Sequence, residues 1–196
     1  TATSASGGFV VLSDTVNETL EHIGERSLQY QDEVTTWQLH SFVADIPDDT
    51  FLVIGNTGVH ASTSKQVAKV ASLLEKQPER HVEIEAIGSI ARKGIEALRA
   101  GDMELVGKAM TENHIVLRSL GVSSPELERL IKAAAPSSLG VKLTGSGGGG
   151  CMIALTKNPE QTVGAIEMEG GRAFISPFNS PGVRIETLSS QDDSPQ

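Results

Sequence analysis

Five of the six residues from Gly145 to Gly150 are glycine, set between the short apolar stretches Val141–Leu143 and Cys151–Leu155. Each glycine costs roughly 0.5–1 kcal/mol more than alanine to order, and a simple hairpin turn needs only one or two. A run this long is better explained by backbone that approaches a ligand closely and turns its N–H groups toward an anion. Thr144, immediately before it, adds a hydroxyl donor. The run also fits G-x-G-x-x-G through Gly145, Gly147 and Gly150, with Glu167 and Glu169 at about the expected distance downstream for a dinucleotide site. That fingerprint requires the last glycine to open a helix. Here the next segment is a short apolar run stopped by Lys157-Asn158-Pro159, too short for a crossover helix. The P-loop pattern fails as well, because Cys151-Met152 stand where Lys-Ser/Thr is needed. A flexible turn remains the plain alternative.

The other polar residues with chemical potential have ordinary explanations beside functional ones. Ser62, Thr63 and Ser64 precede a helical pattern, where a cap is the usual role. Asn113 and His114 fall mid-helix and are expected to serve the core or a helix–helix hydrogen bond. Lys142 is expected on the solvent face of a strand. Cys151 is expected to be a buried, inert thiol. His22, His40, His60 and His81 have no spacing that suggests a metal site.

The elements that must hold these residues follow from periodicity. Gly7-Gly8 suggests a bend feeding a strand over Phe9–Leu12, and further strands are expected at Val34–Val43 and Phe51–Ile54. A helix then carries Val67, Val70, Ala71 and Leu74 on one face. A second follows Pro78 with Ile84, Ile87, Ala91 and Leu98 inward. The third has Asp102 as N-cap, with Met103, Val106, Met110 and Leu117 inward and Gly121 as its stop. The fourth begins with Ser124 as N-cap and Pro125 at its first position, and buries Leu127, Leu130, Ile131 and Ala134. After the glycine run come a short helix near Glu160–Met168 and strands at Arg172–Ile175 and Val183–Thr187. Antiparallel strands with the helices gathered in one block give an α+β fold.

Composition narrows the classes. The 196 residues are 38% hydrophobic and 21% charged, with a formal net charge of −9. That charge argues against a nucleic-acid or anionic-membrane surface. No apolar run approaches the roughly 20 residues of a membrane span. A single cysteine excludes an internal disulfide framework and makes a reducing cytoplasm the natural setting. The chain opens on "TATSASGG" without an initiator Met, as a chain cut in mid-fold would.

The stretch "KLTGSGGGGCMIAL" resembles the third motif of the GHMP kinase superfamily. Together with "MTENHIVLRSLGV" and "GVSSPELERLIKAA" it is similar, more narrowly, to the mevalonate kinases. Ser146 stands where that family usually has alanine. "IGNTGVHASTSKQVAKV" is similar to the family's strand-to-helix stretch, with Asn56 where many relatives carry Asp. Ser4, Gly7 and Gly8 match a D-x-x-x-S-x-x-G-G segment. The resemblance is specific from about Leu52 to Leu155, and the segment from Asp14 to Ile46 is longer than the family's usual connection.

The resemblance implies a ferredoxin-like GHMP kinase C-terminal domain, with an antiparallel sheet and helices, over residues 61–188. It further implies a strand-rich remnant of the N-terminal domain over 1–60 and a disordered tail over 189–196. The implied reaction is ATP-dependent phosphorylation of mevalonate in isoprenoid biosynthesis, with ATP and Mg2+ as cofactors and no nucleic-acid or membrane partner; a homodimer is left open. Thr144, Gly145, Ser146, Gly147, Gly148, Gly149 and Gly150 would bind phosphate, and Thr63 would face the acceptor. The family's catalytic Asp would immediately precede Thr1 and its main ATP loop lies further upstream, so no catalytic base is assigned in this chain and the chain alone is expected to be inactive. Another small-alcohol GHMP kinase, of phosphomevalonate or homoserine type, and a non-catalytic GHMP-fold binding protein are the alternatives.

Overall fold

The computed structural model describes residues 2–30, 32–176, 178 and 183. Residues up to Val43 belong to one compact unit and Ala44–Phe178 form a second. The strand expected at Val183–Thr187 and the tail over 189–196 lie outside the described residues, Val183 apart.

In the first unit a short helix, α1 (Ala2–Ser6), leads through Gly7 and Gly8, both in the left-handed region, into β1 (Phe9–Ser13). Two ten-residue strands follow, β2 (Glu21–Tyr30) and β3 (Glu33–Phe42), and the antiparallel sheet has the order β1-β3-β2. The long segment after Asp14 is therefore largely one hairpin, with a register shift between His22 and Gly24. On β3, His40 is fully buried, and its Nε2 accepts a hydrogen bond from the Asn17 amide at 2.8 Å.

The second unit begins its sheet with β4 (Phe51–Asn56). β4 is a central strand of this sheet, so the compact unit that contains it starts before residue 60. Then come α2 (Thr63–Lys76), α3 (His81–Arg99), α4 (Met103–Ser119), α5 (Pro125–Ala134), β5 (Gly140–Leu143), β6 (Cys151–Thr156), α6 (Pro159–Met168) and β7 (Arg172–Ser176). The sheet order is β5-β6-β4-β7, with every neighbouring pair antiparallel. Counting strands within this unit, the order is 2-3-1-4, that of a ferredoxin-like split βαβ arrangement.

The core lies between one face of this sheet and α5 and α6. Val53, Val141, Leu143, Met152 and Ala154 meet Leu127, Leu130, Ile131, Ala134 and Ile166. α5 is set where its sequence predicts: the Ser124 hydroxyl accepts from the Leu127 amide and Pro125 occupies the first turn. Asp102 likewise caps α4 by accepting from the Leu105 amide at 3.0 Å.

β5 is an edge strand, and α4 seals it. The Thr111 hydroxyl accepts from the Val141 amide at 3.3 Å, and His114 Nδ1 accepts from the Leu143 amide at 3.5 Å. Two glycines allow this approach: a Cβ on Gly140 would lie 1.9 Å from the Gly107 carbonyl oxygen, and one on Gly107 would lie 2.4 Å from that of Leu139. Covering an edge with a helix satisfies amides that would otherwise recruit another strand.

α2 departs from its expected face. Val67 and Ala71 are exposed and no residue of the helix is buried, while Val70 packs against the margin of the core. On α3 the buried residues are Ala97 and Leu98, whereas Ile84 and Ala91 are exposed.

Candidate functional site

The glycine run joins β5 to β6 and forms one wall of a cavity of about 430 Å³. The connection from β4 to α2 forms the opposite wall, through Asn56, Gly58, Val59, His60, Ala61 and Thr63. Arg172, the first residue of β7, completes it; strand register places Arg172 directly across from Asn56.

The loop is held by its neighbours at alternate points. The Gly148 amide donates to the Val122 carbonyl at 2.7 Å, and the Gly150 amide donates to the Val59 carbonyl at 2.8 Å. The Gly150 carbonyl accepts twice from Thr57, through its amide and its hydroxyl, both at 2.9 Å. Asn56 shapes the facing turn, its side-chain oxygen accepting from the Gly58 amide at 2.7 Å. Among the described residues no backbone carbonyl accepts from the amides of Gly145, Ser146, Gly147 or Gly149, and these four residues all line the cavity.

All five glycines have positive φ, but for different structural reasons. A Cβ on Gly147 would lie 2.0 Å from the Val122 carbonyl oxygen, one on Gly148 2.2 Å from Gln66 Nε2, and one on Gly149 2.6 Å from the Val59 carbonyl oxygen. These three let the loop press against the chain behind it. A Cβ on Gly145 or Gly150 would meet nothing within 4 Å. Six of the seven residues expected to bind phosphate line the cavity; Gly148 does not, because it turns toward Gln66 of α2.

The N-terminus of α2 opens beside the loop. Ser62 holds the N-cap position but its side chain caps nothing, meeting the Ser64 hydroxyl at 2.9 Å instead. The amides of a helix's first turn carry partial positive charge and favour an anion. Thr63 lines the cavity, and its hydroxyl accepts from that of Ser146 at 3.3 Å, tying the loop to the helix.

Among the described residues the cavity lining contains one permanent cation, Arg172, and no carboxylate. Arg172 forms no ion pair within the described residues. In a chain of net charge −9 this is a local reversal of sign, fitted to oxyanions. Among the described residues no carboxylate borders the cavity to hold Mg2+, and no group of three or more His, Cys, Asp or Glu could hold a metal. Arg172, His60 and Asn56 were not among the residues expected from the sequence. Arg172 stands 22 positions beyond Gly150, and only strand register brings it to the loop.

The remaining polar candidates lie outside the cavity. His114 is buried beneath α5, with Nε2 3.1 Å from Glu128 Oε1, close enough for charge pairing though not aligned as a hydrogen bond. Burial holds its pKa below the ordinary histidine value, against the opposing pull of Glu128. Its contacts are with β5, through the Leu143 amide, and with Glu128 of α5. Cys151 is a half-buried free thiol at the start of β6. Lys142 corrects its expectation: it is half-buried between α3 and α4, not on a solvent face.

The unit that holds this cavity contains a GHMP kinase C-terminal domain: residues 95–167 match the family model described as GHMP kinases C terminal. Within that superfamily the chain is similar to mevalonate kinases: it is 38% identical over 145 residues to the mevalonate kinase of Pyrococcus furiosus. That match covers 70% of this chain and 43% of the relative, so the chain spans less than half the length of the protein it matches. The crystal structure of L. major mevalonate kinase in complex with R-mevalonate superposes with a TM-score of 0.55 at 28% identity, over 73% of this chain and 43% of that one. The Streptococcus pneumoniae phosphomevalonate kinase shares the fold, with a TM-score of 0.61 at 17% identity over 71% of this chain and 43% of that one. No helix among the described residues is long and apolar enough to cross a membrane.

Proposed function

We propose that this chain is the C-terminal part of a cytoplasmic mevalonate kinase, and that the intact enzyme transfers the γ-phosphoryl group of Mg·ATP to the 5-hydroxyl of mevalonate. The observation that carries this reading is the cavity: a loop with four uncommitted amides, an uncapped helix N-terminus and one unpaired arginine, in a chain 38% identical to a mevalonate kinase. Phosphoryl transfer depends on positioning and charge neutralisation more than on covalent help from the protein. The amides of Gly145, Ser146, Gly147 and Gly149 and the Arg172 guanidinium would hold phosphate oxygens. Thr63 and Ser146 would present hydroxyls to the acceptor side. Mg2+, when bound, neutralises phosphate charge; its ligands would come from outside this cavity lining, as would the catalytic base. Residues before Ala44 would belong to the enzyme's N-terminal domain.

The test is a coupled assay of the full-length protein with Mg·ATP and, in turn, R-mevalonate, phosphomevalonate and homoserine. Mevalonate is expected to give a kcat/KM at least a hundredfold above the other two. Preference for phosphomevalonate or homoserine would move the protein to another branch of the superfamily. Absence of turnover with all three, with ATP still bound, would make it a binding protein.

A further inference from the structure

Away from the glycine loop, residues of α3, α4 and β5 line an open groove of about 270 Å³. Its walls are apolar, with Ile90, Ile95 and Leu98 from α3 and Met110 from α4. The charged group at its base is Lys142, and Asn113 stands beside it. The Lys142 ammonium has one hydrogen bond, to the carbonyl of the adjacent Leu143 at 3.0 Å. Among the described residues no carboxylate lies within ion-pair distance of it.

A cation in such a place is costly. An ammonium removed from water loses hydration worth several kcal/mol unless a counter-charge replaces it, and one carbonyl is a small return. Burial, with no opposing charge, holds the Lys142 pKa below the ordinary lysine value. Packing alone would be served as well by Met or Leu at this position. A groove that pairs apolar walls with an uncompensated ammonium is complementary to a ligand with an apolar chain and an anionic head.

We propose that the α3–α4 groove is a binding site for a small amphipathic anion, whose apolar chain lies along Ile90, Ile95, Leu98 and Met110 and whose carboxylate or phosphate head pairs with the Lys142 ammonium. Asn113 supplies a further polar contact for the head. The site shares no lining residue with the glycine-loop cavity, so its ligand binds without competing for phosphate there.

Calorimetric titration of the 196-residue chain with octanoate, octyl phosphate and octanol tests the proposal. At least one anion should bind ten times or more tighter than octanol, and the tighter of the two identifies the head group. Lys142→Met should reduce that anion to the level of octanol, and Lys142→Arg should retain most of the preference. In the wild-type chain the Met110 methyl resonance should shift on titration, which is readable without any variant. Pyrophosphate at saturation should leave the binding unchanged. An anion that binds no tighter than octanol, a Met110 methyl that does not move, or binding indifferent to Lys142→Met overturns the proposal. Concentration-dependent dimerisation abolished by Ile95→Asp also overturns it, by making the groove an interface between copies of the chain.

Discussion

At the scale of single residues, the glycines of the loop separate into two groups that substitution should distinguish. Gly145→Ala places a methyl in open cavity space, so its folding cost is the left-handed backbone alone, about 1–2 kcal/mol. Gly147→Ala drives the same methyl into the Val122 carbonyl and should cost clearly more in urea unfolding, because backbone must move. Pyrophosphate affinity of the 196-residue chain, measured by calorimetry, should fall with Gly145→Ala although the fold is kept. Equal unfolding midpoints for the two variants would mean that the loop does not press on Val122. Arg172→Gln should weaken pyrophosphate binding by about tenfold or more, the worth of a hydrogen bond to a charged group. If Gly145→Ala lowers affinity and Arg172→Gln does not, the loop holds the anion without the arginine. The glycine run stood out because its composition is costly to order; that three of its glycines make room for Val122, Gln66 and Val59 depends on tertiary packing and could not be read. Arg172 was not legible, because no local pattern marks a strand residue whose partner lies 116 positions earlier at Asn56.

At the scale of elements, the caps and stops of α4 and α5 could be read directly, since Asp102, Ser124 and Pro125 act within their own turn. β2 could not. Both its faces are largely exposed, with Leu28 at 57%, so it lacks the alternation that marks a half-buried strand. α2 misled for the opposite reason: it has a regular apolar stripe, but only part of that stripe meets the core. The seal of α4 on β5 was also invisible, because it depends on contacts between residues about 30 positions apart. It makes two predictions. Thr111→Val leaves the Val141 amide without its acceptor and should cost about 1 kcal/mol in urea unfolding; no change would mean that water replaces the hydroxyl freely. His114 governs a pH dependence. Its folded pKa lies below the unfolded value of about 6.5, so on acidification the unfolded chain takes up a proton before the folded chain does. Stability is then complete above about pH 6.5 and falls as pH drops below it toward the folded pKa. Glu128 opposes the shift, while Arg118 and Lys142 add to it. The carboxylates held low by partners, Asp49, Glu83 and Glu126, lose their contributions only below about pH 4.5. His114→Gln should therefore flatten the unfolding midpoint between pH 6.5 and 5 and leave the acid limb below pH 4.5 in place. A slope unchanged between pH 6.5 and 5 would remove His114 as its source.

At the scale of the whole molecule, the second unit is self-sufficient in the physical sense that matters for the site. Its four strands pair only with one another among the described residues, and the core cluster draws entirely on residues between Val53 and Ala173. Every residue lining the glycine-loop cavity also lies within it, from Asn56 to Arg172. The glycine-loop wall of the cavity is thus built from residues of the second unit, whereas under the proposed function the catalytic base and the main ATP loop would come from sequence outside that unit. Produced by itself, segment 44–178 should unfold in a single cooperative transition, with a midpoint close to that of the same unit in the 196-residue chain. It should bind pyrophosphate with the same affinity, within a factor of about two to three, because no lining residue has been removed. Coincident transitions by circular dichroism and by Trp-independent probes such as Met methyl resonances would establish cooperativity; the segment lacks Trp37, so fluorescence reports only on the first unit. A tenfold loss of affinity in a segment that is still folded would mean that the first unit orders the loop, and that the cavity's preorganisation is not a property of the ferredoxin-like unit alone.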